Sequence, residues 1–364
     1  MKIALIHDYL REYGGAERVV EALHDLYPDA PVYVAFTDPQ VAGMHWQKFA
    51  DWEIHQSWLT KIPFYKKLFS PLRIFAPQYF FRFDLSEFDV VISSTNAYFA
   101  KAVQVPNGVH ICYCHTPARS LYGYTTMTNW QQNPITKFAG TLINHYLRVV
   151  DFQVAQKVDH FIANSEETKR RIAKFYRRDS TVIYPPIAIP NSAPKKTSRD
   201  YYLYVGRIAA SKHVDLAVAA ATTLGLSLKV AGEGKGLEHL REMAGPTVEF
   251  LGAVSDQALS ELYAGAKALL FPAEDEDFGM VPVEAMGHGT PVIAHRSGGP
   301  LESVVEGKTG LFFDAFTVES LVTAVQQFEK KKWDAKTIYA HSKQFGLERF
   351  TNEIEKLVSE RIQT

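Results

Sequence analysis

Two carboxylates, Glu276 and Glu284, stand eight positions apart in the run E-D-F-G-M-V-P-V-E. The run A-L-L-F-P at 268–272 predicts a buried parallel strand before them, and P-V-E-A-M-G at 282–287 predicts the start of a helix. One Glu therefore falls in the loop after a strand and the other about one turn into the next helix. Ligands of open α/β sheets bind at such loops, where the free N–H groups of a helix start attract anions and Gly279 lets the backbone approach closely. The expected ligand carries phosphate for the amides and hydroxyls for the carboxylates, as a sugar nucleotide does.

Two basic residues, Arg207 and Lys212, flank the turn that follows the predicted strand at 201–205. Two cations in a short loop at a strand end suit a diphosphate, because the guanidinium can bind two phosphate oxygens and the ammonium acts as a compact charge. Solvated surface charge is the alternative for any single Arg or Lys. The pair extends the anion-binding hypothesis to a second loop.

A histidine and a glycine pair mark strand ends in the first half of the chain. His115 ends the apolar run H-I-C-Y-C-H at 110–115, where a core or capping role is the alternative to a role in chemistry. Gly14 and Gly15 follow the first predicted strand. They would let the backbone approach a ligand, and they also suit a simple turn before a helix.

Composition limits the class of protein. A chain of 364 residues with 46% apolar residues suits two globular domains, and a formal net charge of −1 gives no sign of a nucleic-acid partner. We interpret Cys112 and Cys114 as small apolar fillers of one strand, because a Cys/Cys/His metal site would lack an evident fourth ligand. The chain opens on a predicted strand rather than a leader peptide, and no apolar run reaches the roughly 18 residues of a membrane span. We therefore expect a cytoplasmic protein.

Apolar runs alternate with helical periods along the chain, which predicts an α/β fold with helices on both faces of parallel sheets. A first series of strands precedes the proline-rich polar segment 185–198, and a second series begins at Y-Y-L-Y-V-G-R. We place the boundary in that segment. The predicted domains are 1–190, 191–345 and a C-terminal helical segment, 346–364.

Motifs spread over nearly the whole chain resemble, in their order, those of the retaining family 4 glycosyltransferases, which have the GT-B fold. The matching runs are G-G-A-E-R-V-V at 14–20, C-H-T-P-A-R at 114–119, G-R-I-A-A-S-K at 206–212, A-G-E-G at 231–234, F-L-G at 250–252, E-D-F-G-M-V-P-V-E at 276–284 and G-G-P-L-E-S-V at 298–304. The first half looks most like bacterial mannosyltransferases of surface-polysaccharide assembly. The resemblance implies two Rossmann-like parallel-sheet domains facing each other across a cleft. The first would lie on the acceptor side, the second would bind the nucleotide sugar, and the last helix would pack back on the first.

The resemblance also assigns roles to the candidate residues. His115 would lie near the donor sugar, Arg207 and Lys212 would stabilise the departing diphosphate, Glu276 would face the transferred sugar, and Glu284 would hold the ribose hydroxyls. The implied donor-binding set is Gly14, Gly15, Gly206, Arg207, Lys212, Val254, Glu276, Phe278, Gly279, Met280, Val281 and Glu284. No metal or other cofactor is expected, since two cations and a helix start would do that work.

The resulting hypothesis is a hexosyltransferase that moves mannose from GDP-mannose to a hydroxyl of a glycan or lipid-linked glycan, with retention of configuration. One alternative is the same fold acting on UDP-glucose, UDP-GlcNAc or GDP-fucose. Another is a sugar-nucleotide-binding subunit without turnover, against which the intact set of candidate residues argues. The run A-G-E-G-K-G at 231–236 departs from the dinucleotide fingerprint, because its spacing is G-x-G-x-G. We interpret it as a wall of the nucleotide pocket, with Gly252 to Val254 near the base.

The segment 58–82 combines basic and aromatic side chains and contains no acidic residue. Such a segment suits contact with an anionic membrane surface, and it equally suits a packed helix pair with a solvated edge. The sequence leaves both open. A membrane contact would hold the protein peripherally on the inner face of the cytoplasmic membrane. The residues concerned are Lys61, Lys66, Lys67, Arg73 and Arg82, with Trp58, Phe64, Tyr65, Phe69, Phe75, Tyr79, Phe80 and Phe81.

Overall fold

A computed structural model describes residues 1–96, 99–124, 134–193 and 199–362, without the side chains of 134–136 and 139. The chain divides into two compact units. The first unit comprises Met1–Pro186 and Glu348–Thr364, and the second comprises Ile187–Leu347. The sequence placed these divisions after 190 and after 345. Residues 194–198 of the predicted linker lie outside the described residues.

The first unit is built on a sheet of seven parallel strands, in the order β3-β2-β1-β4-β5-β6-β7. The strands are β1 Ile3–His7, β2 Val32–Val34, β3 Ile54–Gln56, β4 Val90–Thr95, β5 Val109–Cys114, β6 His160–Ala163 and β7 Ser180–Val182. The helices are α1 Gly15–Leu26, α2 Pro39–Ala42, α3 Tyr65–Leu68, α4 Ala76–Phe81, α5 Pro134–Ala155 and α6 Glu166–Tyr176. Short 3-10 turns occupy Gly43–Phe49, Trp58–Lys61, Pro71–Phe75, Ala100–Ala102 and Arg119–Leu121.

Strand β1 shows why this sheet is covered on both faces. All five of its residues are buried, and alternate side chains point to opposite faces. Ile3 and Leu5 pack into one apolar cluster, whereas Ala4 and Ile6 pack into another. Such continuous apolar strands are typical of parallel sheets between two helical layers.

The second unit is built on a sheet of six parallel strands, in the order β10-β9-β8-β11-β12-β13. The strands are β8 Tyr201–Val205, β9 Leu228–Ala231, β10 Val248–Gly252, β11 Ala266–Phe271, β12 Val292–His295 and β13 Gly310–Phe313. The helices are α7 Val214–Leu224, α8 Leu237–Met243, α9 Asp256–Gly265, α10 Met280–Gly287, α11 Pro300–Ser303, α12 Val318–Glu329 and α13 Ala335–Ser342, with 3-10 turns at Ala210–Lys212 and Lys343–Phe345. The predicted parallel α/β architecture is confirmed in both units.

The C-terminal helix, α14 (Leu347–Ile362), returns to the first unit. Its apolar residues recur at helical spacing and are buried in the same cluster as Ile3 and Leu5 of β1. The inserted residues are Phe350, Ile354, Leu357 and Val358. This helix therefore belongs to the core of the first unit.

Candidate functional site

The loops after β8, β9 and β10 surround a cavity of about 690 Å³ at the carboxyl edge of the second sheet. Backbone hydrogen bonds join these loops to one another. The bonds are Gly206 N–H to Ala231 O at 3.0 Å, Ile208 N–H to Glu233 O at 2.8 Å and Gly232 N–H to Gly252 O at 2.8 Å. The cavity thus has a rigid backbone wall, as ligand sites at this edge of α/β sheets do.

Glycines are required where the first two loops meet. Gly206 and Gly232 have φ angles of +146° and +150°, which side chains rarely permit. A Cβ atom on Gly232 would lie 1.9 Å from Gly206 O, and one on Gly234 would lie 2.0 Å from Ile208 O. The run A-G-E-G therefore serves close packing of two strand ends.

Three of the sequence-predicted donor residues, Gly206, Arg207 and Val254, line this cavity. The Arg207 side chain is exposed, while its carbonyl accepts a hydrogen bond from Tyr204 Oη at 3.1 Å. The bond holds the backbone from which the guanidinium extends.

Lys212 and Glu276 form an ion pair between the loop after β8 and the loop after β11. Both side chains are about three-quarters buried, at 25% and 20% exposure. The backbone supports the same junction, because Glu274 N–H donates to Ser211 O at 2.9 Å. The structure thus brings together two predicted catalytic residues that lie 64 positions apart.

The loop that carries Glu276 is held in an unusual backbone conformation. Asp275 and Gly279 have φ angles of +49° and +82°. The glycine pair at 298–299 packs against this loop, and Gly299 N–H donates to Glu276 O at 2.8 Å. A Cβ atom on Gly298 would lie 2.3 Å from the same oxygen. Left-handed residues concentrate at functional loops, where surrounding contacts impose them.

Helix α10 begins at Met280, directly after Gly279, so its first N–H groups face the end of the loop. Phe278 is buried against Phe345, whereas Met280 and Val281 are partly exposed. Glu284 is buried one turn into the helix, and Tyr263 Oη donates to its Oε2 at 2.8 Å. The tyrosine fixes the direction of this carboxylate.

In the first unit, Gly14 and Gly15 form the start of α1. Gly14 N–H donates to Glu17 Oε2 at 2.9 Å, which satisfies one of the free donors of the helix start. Glu17 is buried, and its Oε1 lies 3.6 Å from His7 Nε2. The glycine loop is therefore joined to the end of β1.

His115, at the end of β5, belongs to the same polar chain. Its Nε2 lies 2.8 Å from Ser94 Oγ, and that hydroxyl lies 3.1 Å from His7 Nδ1. We call Glu17, His7, Ser94 and His115 the polar chain. All four residues are more than nine-tenths buried.

Burial determines which members of the polar chain carry a charge. It lowers the pKa of His115 to about 4, so the ring is uncharged at neutral pH. Burial alone would raise the pKa of Glu17, but the contact with His7 and the Gly14 N–H group hold that pKa below its usual range. Glu17 is therefore a carboxylate.

Sequence reasoning missed His7, Glu17 and Ser94. His7 and Ser94 are direct neighbours because β1 pairs with β4 in a register that sets one opposite the other. Glu17 was visible as the third residue of a helix after Gly14, a usual place for a carboxylate that binds back to the helix start. The strand register was not visible.

The segment 58–82 has both buried and exposed residues, so its role stays a prediction. Tyr79 and Phe80 lie in the core, and Trp58, Tyr65, Phe69 and Phe81 pack against it. Two cations make contacts inside the unit. These contacts are Lys66 Nζ to Asp38 Oδ1 at 3.0 Å, Arg73 Nη1 to Ser120 Oγ at 2.8 Å and Arg73 Nη2 to Asn144 Oδ1 at 2.8 Å. Phe64 and Phe75 remain 76% and 45% exposed.

Within the described parts of the chain, no helix is long and apolar enough to cross a membrane. In the same parts, no group of three or more His, Cys, Asp or Glu side chains converges as around a metal ion.

Two family models together cover most of the chain. Residues 13–189 match the model described as Glycosyltransferase Family 4, and residues 187–345 match the model described as Glycosyl transferases group 1. The division between the matches falls where the structure divides into units.

Individual relatives agree with these matches. A GDP-mannose-dependent alpha-mannosyltransferase of Mycolicibacterium smegmatis is 36% identical over 33% of this chain and 32% of its own length. The alpha-1,3/1,6-mannosyltransferase alg2 of Schizosaccharomyces pombe is 25% identical over 85% of this chain and 70% of its own. The chain spans about a third of the length of the first curated relatives it matches.

Among solved structures, Anabaena HepE in complex with UDP and glucose superposes with a TM-score of 0.72 and 19% identity, over 99% of both chains. This likeness concerns the fold.

Proposed function

The chain belongs to the family 4 glycosyltransferases and has the GT-B fold, and from that premise we propose that it is a retaining hexosyltransferase. Its donor is GDP-mannose, and its acceptor is a hydroxyl of a glycan or lipid-linked glycan. The observation that carries this proposal is the ion pair of Lys212 and Glu276, which joins the loops after β8 and β11. Arg207, in the same loop as Lys212, lines the cavity of about 690 Å³.

Arg207 and Lys212 bind the diphosphate of the donor. A cation that is already in position stabilises the charge that develops as the diphosphate departs. The N–H groups of Phe278, Gly279, Met280 and Val281, at the start of α10, add donors for phosphate and sugar oxygens. Binding requires Lys212 to turn from Glu276 toward phosphate, which leaves the carboxylate for the hydroxyls of the sugar.

Glu284 and the wall of the cavity bind the nucleoside. A carboxylate can accept hydrogen bonds from two vicinal ribose hydroxyls, and Tyr263 already orients that of Glu284. The backbone around Gly252 and Val254 faces the cavity and supports a role in contacting the base.

The transfer breaks the bond between the anomeric carbon and the phosphate oxygen, and it forms a bond from the same carbon to the acceptor oxygen. The acceptor attacks on the face that the phosphate leaves, and its proton passes to the departing phosphate oxygen. Configuration is thereby retained without a covalent enzyme intermediate. Arg207 and Lys212 favour this path because they stabilise the separated anion.

His115 contacts the donor sugar in this proposal. Its Nε2 is bonded to Ser94, so Nδ1 is the ring atom that we assign to the sugar hydroxyl. The backbone at Gly14 and Gly15 approaches phosphate or acceptor, and Glu17 and His7 fix that loop relative to His115.

The donor assignment follows the relatives described as GDP-mannose-dependent. The second candidate is UDP-glucose, favoured by the fold neighbour that binds UDP and glucose. UDP-GlcNAc, GDP-fucose and a subunit without turnover are further alternatives.

A donor panel tests the proposal. Thermal unfolding is measured with GDP-mannose, UDP-glucose, UDP-GlcNAc and GDP-fucose at equal concentration. A ligand at 100 times its dissociation constant stabilises by about 2.7 kcal/mol, so GDP-mannose should raise the melting temperature most. The Arg207→Ala variant is the control and should lose the shift. A larger shift with a UDP-sugar would overturn the donor assignment. If the protein binds a nucleotide sugar but neither hydrolyses it without acceptor nor transfers the sugar, the non-catalytic alternative is favoured.

We also propose that the reaction needs no metal ion, because two cations and a helix start face the diphosphate. Excess EDTA should leave transfer unchanged. Loss of transfer, with rescue by Mn²⁺ or Mg²⁺, would contradict this and direct attention to the acidic run 274–277.

We propose a lipid-linked acceptor, as in surface-polysaccharide assembly, with the enzyme working peripherally at the inner face of the cytoplasmic membrane. The bacterial mannosyltransferase resemblance supports this choice. Transfer to a lipid-linked glycan in vesicles, compared with transfer to the free glycan, distinguishes the two acceptor classes.

A further inference from the structure

Helix α5 has apolar residues on two opposite sides. Its inward side buries Leu147 and Val154 against the core of the first unit. Its outward side exposes Phe138, Leu142 and Val149, at 70%, 57% and 47%. With 3.6 residues per turn, these three residues lie within about 40° of one another and extend over about 16 Å. A surface helix normally turns its apolar side to the core only, so this outward stripe needs a partner.

One further exposed apolar side chain lies on a turn that contacts α5. The turn Pro71–Phe75 packs beside this helix, since Arg73 donates hydrogen bonds to Ser120 and to Asn144 of α5. Phe75 follows in the same turn and is 45% exposed.

Positive charge accompanies this surface. Lys137 and Arg148 of α5 are exposed, and Asp151, the single acidic residue of that helix, is buried in an ion pair with Lys101 at 2.5 Å. A groove of about 690 Å³ adjoins the helix, and its cations are Arg148, Lys174 and Arg177. The groove has an aromatic floor, where Tyr122 stacks on Phe175 at 4.2 Å between ring centroids.

We propose that the outward side of α5 is a contact surface for an anionic phospholipid bilayer, with the groove receiving a lipid headgroup phosphate. Apolar side chains on an interfacial helix enter the boundary between headgroups and acyl chains, while flanking cations meet anionic lipid. A second copy of this chain fits less well, because pairing two such sides would bring like charges together. The proposed surface lies on α5, whereas the sequence suggested segment 58–82, whose exposed residues include Phe64 and Phe75. It deepens the proposed function by giving the place where a lipid-linked acceptor is met.

Vesicle sedimentation of the full chain, without nucleotide, tests the surface. The wild type should pellet with vesicles of phosphatidylglycerol and phosphatidylcholine and much less with phosphatidylcholine alone. The triple variant Phe138→Ser, Leu142→Ser, Val149→Ser, which we call the stripe variant, should bind at least about 100-fold more weakly. It removes three apolar groups that enter the bilayer. A matched control with equally exposed apolar residues elsewhere is Val41→Ser, Met44→Ser, Ile362→Ser. That control should bind as the wild type does.

The charge variant Arg148→Gln, Lys174→Gln, Arg177→Gln should bind anionic vesicles roughly 100-fold more weakly, since each basic residue near such a surface contributes about a factor of five. Equal pelleting of wild type and the stripe variant, or no pelleting of wild type, would overturn the proposal. So would a wild-type dimer that the stripe variant dissociates.

Failure of the proposed function would look different. The stripe variant should keep its thermal shift with GDP-mannose, because that ligand is assigned to the second unit. A wild type that pellets with anionic vesicles but binds no nucleotide sugar would refute the function and leave the surface standing.

Discussion

At the residue scale, the ion pair of Lys212 and Glu276 joins two groups with different proposed ligands. Lys212 is assigned to phosphate and Glu276 to the sugar, yet the two side chains form an ion pair with each other. Phosphate and carboxylate therefore compete for one ammonium group. Removing either partner should affect binding and turnover in different ways.

Lys212→Ala should lower turnover by roughly 100-fold or more and weaken GDP binding, since it removes a charge already placed at the diphosphate. Glu276→Gln should also lower turnover, but GDP should bind at least as tightly as to wild type because Lys212 has lost its competitor. Calorimetric titration with GDP and steady-state kinetics measure both effects. Lys229→Ala, on β9, is the control. Equal loss of GDP affinity in the two variants would argue against the competition.

The polar chain gives a second prediction at this scale. Ser94→Ala removes the hydroxyl between His7 and His115, so the His115 ring loses its fixed orientation. We expect kcat to fall roughly tenfold, the loss of one hydrogen bond of about 1–1.5 kcal/mol, with the dissociation constant for GDP unchanged. Ser94→Thr should restore much of kcat.

Ser93→Ala is a closely matched control for that experiment. Ser93 directly precedes Ser94 in β4 and is equally buried. Its Oγ lies 2.8 Å from His110 Nε2. The Ser93→Ala variant also loses one serine–histidine hydrogen bond, but that bond lies outside the polar chain. A similar fall of kcat in both variants would mean that Ser94 acts on stability alone.

At the element scale, apolar runs predict strands at 3–6, 32–36, 90–94, 110–115 and 161–165 in the first half and at 201–205, 228–231, 248–251, 268–272 and 291–294 in the second. They miss three strands at the edges of the sheets. The missed strands are β3, β7 and β13. β3 and β7 have only three residues each and carry polar side chains, because one side of an edge strand faces solvent. Their apolar signal was too weak to read.

The candidate site divides in the same way. Glu276 to Glu284 could be found because a single loop and helix hold them, so spacing alone fixes their relation. The polar chain could not, because His7, Ser94 and His115 meet through the register of β1, β4 and β5. Register follows from packing of the whole sheet, which no short motif encodes.

The anchoring of α5 gives a prediction at this scale. Asp151 fixes the inward side of the helix through Lys101, and Tyr122 Oη donates to the same carboxylate at 2.9 Å. Lys101→Met should destabilise the first unit by about 3–5 kcal/mol, because a buried carboxylate is left without its cation.

Lys101→Met combined with Asp151→Asn should recover at least half of that loss, since the amide oxygen still accepts from Tyr122 and no charge is buried. Urea unfolding of the wild type, the two single variants and the double variant gives a double-mutant cycle for the pair. Additive effects of the two changes would contradict a coupled pair.

At the scale of the whole molecule, stability in acid depends on histidines in the first sheet. Burial lowers the pKa of His110 to about 3, with a smaller contribution from Lys101, and burial lowers that of His115 to about 4. An ordinary histidine has a pKa of about 6.5. Because the folded values lie below the unfolded one, the unfolded chain takes up the proton first as the pH falls. Stability is therefore complete above about pH 6.5 and is lost progressively between pH 6.5 and pH 3 to 4.

His110→Gln isolates one of these histidines without touching the candidate site. When the pH falls from 7 to 5, His110 should lower the free energy of unfolding by about 2 kcal/mol. At pH 5 its ring is protonated in the unfolded chain but not in the folded one. The variant is less stable at pH 7 if the glutamine fits poorly, but its loss on going to pH 5 should be smaller than that of wild type by about 2 kcal/mol. Amide exchange in β5, measured at both pH values, follows the first unit specifically. His145→Gln, at an exposed position of α5, should leave the wild-type pH dependence intact. The same loss in wild type and in His110→Gln would show that His110 is already protonated in the folded chain at pH 5, and that the acid sensitivity of the fold arises elsewhere.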